Sequence, residues 1–159
     1  MRLPCPLGVL AAAWLVYQTP GAAAQSVVIA QSVEQTQTID LAAVQALPQV
    51  DTHMSMLTGH GTVQATYRGA LLWAVLEKVG LVSGDPRSHV RRVVMVTGRD
   101  GYTAALALGE IDPEFEGKQV IVADQQDGQA LKGGELRLVV PGDKRGGRSV
   151  RDIVRIELR

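Results

Sequence analysis

Along most of this chain apolar and polar residues alternate at the spacing of strands rather than helices. One apolar run, Val93-Val94-Met95-Val96, is rich in β-branched residues and too short for a globular helix, which predicts a strand covered on both faces. Asp100-Gly101 then supplies a tight reversal. Beyond it Tyr102, Ala104, Leu106 and Leu108 alternate with Thr103, Ala105 and Ala107, so the pattern predicts a central hairpin that neighbouring segments must cover.

The flanking patterns supply that cover. Val27-Val28-Ile29 opens a first strand with an exposed polar extension, and Asp40 is placed to cap a short helix from Leu41 to Leu47, stopped by Pro48. From Val50 to Thr58, Met54 and Met56 fall on one face and Asp51, His53 and Ser55 on the other. Gly59-His60-Gly61 turns the chain back into an antiparallel strand from Thr62 to Tyr67. Only after Gly69 does a helical stripe stand out, with Leu71, Leu72, Val75, Leu76 and Val79 apolar, Glu77 and Lys78 polar, and Gly80 as the C-cap. Leu81 to Val90 reads as a connection. Strands follow at Gln119 to Ala123 and Leu136 to Val140, and a last one sets Val154, Ile156 and Leu158 against Arg155 and Glu157. The fold class expected is α+β, with mixed sheets and few helices.

The N-terminus changes which residues belong to that fold. Arg2, an apolar stretch from Leu7 to Val16, and Ala22-Ala23-Ala24 before Gln25 form the three parts of a secretory signal peptide. The apolar stretch is shorter than the roughly 20 residues that span a bilayer, which argues against a membrane anchor. Residues 1–24 are therefore expected to be removed and residues 25–159 to form one domain, periplasmic or secreted, with no membrane span. Cys5 is the only cysteine in the sequence, so cleavage would leave neither a disulfide nor a thiolate metal site. Without Arg2 the 16 basic residues become 15, against 16 acidic ones, and the near-zero balance gives no case for nucleic acid as a partner.

Any electrostatic function must then be local. The segment from Pro141 to Arg151 gathers Lys144, Arg145, Arg148 and Arg151 on a glycine-rich loop, where converging N–H groups and forked guanidinium donors suit an oxyanion. Its bland alternative is a solvated surface loop, for which charge and glycine are ordinary. His53, His60 and His89 lack the tight spacing of a metal site and read as surface or satisfied core histidines. Glu110, Asp112, Glu114 and Glu116 lack the calcium-loop pattern and are interrupted by Pro113. No nucleophile elbow surrounds Ser55 or Ser149. Met54 and Met56 read as core filler. No catalytic side chain and no metal ligand is assigned.

Four spaced motifs do carry a resemblance. Tyr67-Arg68-Gly69-Ala70-Leu71-Leu72-Trp73, Gly98-Arg99-Asp100-Gly101-Tyr102-Thr103-Ala104-Ala105-Leu106, Leu136-Arg137-Leu138-Val139-Val140-Pro141-Gly142-Asp143 and Gly147-Arg148-Ser149-Val150-Arg151 follow in that order. Together they resemble the molybdopterin-binding domain of the sulfite oxidase family, most closely its short exported members. The resemblance covers about residues 26–159. It implies that family's α+β fold and makes Arg148, Ser149 and Arg151 pterin contacts, with Lys144 and Arg145 as supporting charges.

One departure matters. The resemblance places the family's molybdenum-binding cysteine at about Met56 to Thr58, where this chain has no thiol, and neither methionine, leucine nor threonine replaces a soft thiolate. Cofactor-loaded proteins also leave the cell folded, through a twin-arginine signal, whereas this N-terminus has Arg2 alone. The leading expectation is an exported module that binds a small anionic ligand, a pterin or a periplasmic protein partner, without cysteine-ligated molybdenum. The alternative is a molybdopterin-dependent oxidoreductase that holds its cofactor without cysteine.

Overall fold

The computed structural model describes residues 25–31 and 35–159. The expected signal peptide lies outside them.

Two five-stranded sheets make the frame. Sheet A contains β1 (Ser26–Ala30), β2 (Thr36–Asp40), β5 (Val93–Gly98), β6 (Thr103–Ala107) and β10 (Ile153–Leu158), in the order β2-β1-β10-β5-β6. Parallel pairing of β1 with β10 joins the two ends of the described chain, and the other pairings of sheet A are antiparallel. Sheet B contains β3 (Gln49–Thr58), β4 (Gly61–Leu71), β7 (Ile121–Gln126), the two-residue β8 (Gln129–Ala130) and β9 (Arg137–Val139); it runs β3-β4-β7-β8, with β9 also on β7. The short helices are α1 (Leu41–Gln45), α2 (Leu72–Lys78) and α3 (Leu108–Ile111). The fold is α+β, as the sequence pattern predicts.

Local chemistry accounts for most boundaries. The Asp40 carboxylate accepts from the Ala43 N–H at 2.8 Å and starts α1, while Leu72, Val75 and Leu76 bury the stripe of α2. The principal core joins that stripe to Val27 and Ile29 of β1, Val94 and Val96 of β5, Ile156 and Leu158 of β10, and Ala70, Val122 and Leu138 of sheet B. A second cluster holds Met54, Met56, Ala65, Tyr67, Ile121, Ala123 and Val139. Consecutive residues 121, 122 and 123 thus enter opposite clusters, so β7 is buried on both of its faces.

This corrects the reading of the Val93–Val96 run. Its alternate residues Val93 and Met95 are exposed and half-buried, and its partner β6 is an edge strand, so the hairpin closes sheet A instead of lying at its centre. An unbroken apolar run is ambiguous because apolar side chains also make up much of a protein's surface. The alternation expected near the C-terminus also shifts. The β10–β5 register slips between Ile153 and Arg155, and Ile153 is buried in place of Val154. The polar extension after β1 is itself a strand, β2, and α3 and a 3-10 turn over Pro86–Arg91 were not foreseen. That turn buries His89, whose Nδ1 shares a 2.6 Å hydrogen bond with Asp112 Oδ2, while Nε2 has no partner among the described residues.

Two motif glycines are explained by backbone crowding. A Cβ on Gly69 would stand 2.2 Å from the Val122 carbonyl oxygen and 2.4 Å from the Ala123 Cα, at the bulge where β4 meets β7. One on Gly98 would stand 2.5 Å from the Arg151 carbonyl oxygen. Both neighbours are backbone and cannot rotate aside. Gly69→Ala and Gly98→Ala should each destabilise the fold by about 3 kcal/mol or more in urea unfolding. Gly59→Ala, with open space around it, should stay within about 0.5 kcal/mol.

Candidate functional site

The segment after β9 crosses the second face of sheet B. Leu57 N–H donates to the Lys144 carbonyl at 2.9 Å, and the Met56 sulfur lies 3.5 Å from where a Cβ on Gly146 would stand. From the turn between β5 and β6, the Tyr102 hydroxyl donates to the Gly147 carbonyl at 2.5 Å. Further along, Leu138 N–H donates to the Val150 carbonyl at 2.8 Å. The loop is therefore tied to both sheets, and it touches the stretch of β3 where the family resemblance looks for a cysteine.

Its cations fall into two groups. The Arg148 guanidinium gives Nε and Nη2 to the two Asp143 oxygens at 2.9 and 2.5 Å, and Nη1 to both Glu110 oxygens at 3.1 and 3.2 Å. Lys118 Nζ reaches Glu110 at 2.6 Å and Glu116 at 3.3 Å. Burial pushes the Glu110 carboxyl up, but hydrogen bonds from Lys118 and Arg148 outweigh it and leave its pKa below the usual value. The hydrogen bonds that Arg148 donates to Asp143 and Glu110 hold its guanidinium more firmly protonated than usual, against an opposing effect of burial.

Lys144, Arg145 and Arg151 are exposed and form no ion pair among the described residues. Arg151 lines a shallow depression with Arg99, Asp100 and Asp152, where Arg99 and Asp152 pair with each other at 2.6 Å. The structure also brings in a cation that the sequence reading left unassigned. Arg137 on β9 is 9 % exposed, lies over the Tyr67 ring 5.2 Å from its centroid, and donates from Nε to Ser149 Oγ at 3.0 Å. No carboxylate lies within ion-pair distance of it among the described residues. Burial lowers its pKa most; Arg151 adds to that, while Tyr67 and Glu135 act against it. Only the strand alternation around Leu136-Arg137-Leu138 could have revealed it, by placing a cation on a face otherwise apolar.

The histidines stay apart. His53 Nδ1 is 2.8 Å from Thr66 Oγ1 on the solvent face of the β3–β4 hairpin, His60 is in its turn, and His89 is the buried partner of Asp112. A roomier cleft of about 540 Å³, lined in part by Gln31, Gln37, Ser83 and Arg92, holds none of the predicted site cations.

The result is a mixed-sheet domain with a cationic loop tethered over the second, apolar face of sheet B. The chain belongs to the oxidoreductase molybdopterin binding domain family, whose profile matches residues 17–159. Among solved structures it is similar to the sulfane dehydrogenase SoxCD of Paracoccus pantotrophus, with a TM-score of 0.68 at 16% identity. That similarity covers 89% of this chain but 39% of the SoxCD chain, and at such identity it establishes the fold alone. No curated protein matches the sequence.

The lowered Glu110 pKa has a testable sign. Ionised Glu110 stabilises the fold above its ordinary value of 4.5, and that contribution disappears as pH falls through the lower folded value. In melts from neutral to strongly acid pH, wild type should exceed Glu110→Gln in stability at neutral pH, with the gap closing only below that ordinary value. A gap constant with pH would mean that the ionisation contributes nothing.

Proposed function

We propose that this chain is an exported binding module for a small oxyanion-bearing ligand, with a phosphorylated pterin as the ligand class, on a molybdopterin-domain scaffold that lacks the metal thiolate. One observation carries the reading: Arg137 is 9 % exposed, packed on the Tyr67 ring and hydrogen-bonded to Ser149, with no carboxylate at ion-pair distance among the described residues. An unpaired buried cation is costly, and an anion arriving beside it removes that cost. Arg137, Ser149 and Arg151 would take the phosphate of a pterin, with Lys144 and Arg145 adding charge at the rim.

The metal end of a molybdenum cofactor fits less well. When bound, that metal supplies two-electron redox chemistry, and in this family a cysteine thiolate ligates it. No cysteine stands among the described residues, and Met56 is enclosed in the apolar cluster of sheet B. Family membership favours the second reading, an oxidoreductase, and metal content separates the two. Protein purified from its own host should contain molybdenum far below one atom per chain; a stoichiometric amount with fluorescent pterin released on denaturation would establish the oxidoreductase instead.

Binding tests the site directly. Calorimetry with inorganic phosphate should give saturable binding that Arg137→Ala and Arg151→Ala each weaken by about 1.5–3 kcal/mol, or roughly 10- to 150-fold. Unchanged affinity in both variants would move the site elsewhere. Export is tested by N-terminal sequencing of the chain recovered outside the cytoplasm, which should begin at Gln25.

A further inference from the structure

Family resemblance assigns Arg148 to the ligand, but its hydrogen bonds point another way. Nε and Nη2 face Asp143, and Nη1 faces Glu110, which comes from α3, 38 residues earlier in the chain. Glu110 is also held by Lys118 at 2.6 Å. The side chains of Glu110, Asp143, Lys118 and Arg148 are only 16%, 19%, 24% and 32% exposed, which shields these contacts from solvent. Arg148 and Lys118 balance Glu110 and Asp143, so this group offers an incoming anion no net charge. Among the described residues, the cations here without an ion pair are Arg137 on β9 and Lys144, Arg145 and Arg151 of the loop.

We infer that Glu110 and Arg148 are positioning residues: the pair clamps the 141–151 loop to α3, so that Ser149 and Arg151 stand ready beside Arg137, and neither touches the ligand. This rests on the reading of the site given above. Glu110 lies on an element outside all four family motifs, and its carboxylate is taken by Lys118 and Arg148, so its link to the loop runs through Arg148. The geometry resembles a tent rope: α3 is the peg, the guanidinium is the knot, and the loop is held taut.

A double-mutant cycle on the full chain tests the clamp, with inorganic phosphate as the probe. Glu110→Gln and Arg148→Met should each weaken phosphate binding about tenfold. The double variant should lose no more than the worse single one, because both substitutions cut the same link. The salt dependence of binding should stay at its wild-type slope in these variants and become shallower in Arg151→Ala, which removes a charge that meets the phosphate. Hydrogen exchange without ligand should show lost protection across residues 143–149 in Glu110→Gln. Losses that add in the double variant, or a shallower salt slope in Arg148→Met, would make Arg148 a ligand contact and overturn the inference. So would wild-type affinity in Glu110→Gln, even with a lowered melting temperature. If the wild type binds no phosphate, the functional reading fails by itself, and the exchange experiment still judges the clamp: unchanged protection overturns it.

Discussion

Burial of β7 and β9 on both faces is the constraint on which the rest of the structure depends. The principal core covers one face of sheet B, through Ala70, Val122 and Leu138. The other face presents Met54, Met56, Tyr67, Ile121 and Val139, an area that would be costly to leave in water. The segment after β9 helps to cover it, which is why a loop rich in glycine and charge is fixed by backbone hydrogen bonds to β3 and β9 and by a tyrosine of the β5–β6 turn. Close contact between the strands has its own requirement, and it falls on Gly69, where β4 approaches β7 too closely for any side chain.

Placing a cationic loop over an apolar face sorts its charges. Arg148 enters partly buried surroundings and is matched by two carboxylates, since a guanidinium leaving water needs partners for its forked donors. Arg137 is buried more deeply and has one hydroxyl and one aromatic face. The difference is chemical: the first guanidinium has carboxylates for its donors, and the second has none at ion-pair distance among the described residues. A charge so placed is better tolerated when something anionic shares it, which is the physical basis for proposing the ligand site at this corner of the domain.

Membership of the molybdopterin-binding family and likeness to SoxCD establish the scaffold; what the scaffold does depends on the groups placed upon it. The groups on which the proposed function rests are cations for the phosphate end of a pterin, with no thiolate for its metal among the described residues. The chain spans 39% of the SoxCD chain, so that larger protein's activity does not transfer with the fold.

The sequence by itself determined the α+β class, the Asp40-capped helix, the Met54/Met56 face of β3, the Leu72, Val75 and Leu76 stripe of α2 and the family, because each of these lies in local spacing or in an ordered set of motifs; Leu71, expected in that stripe, ends β4 and packs on the second cluster instead. It also located the cationic loop. Tertiary structure alone decided which strands are covered twice, since an apolar run such as Val93–Val96 looks the same with one face in water as with both enclosed. It alone decided that Arg148 is bound by Glu110 from 38 residues away while Arg137 has no carboxylate at ion-pair distance among the described residues. Charge pairing depends on distances through space, and a linear chain records only the order of its residues.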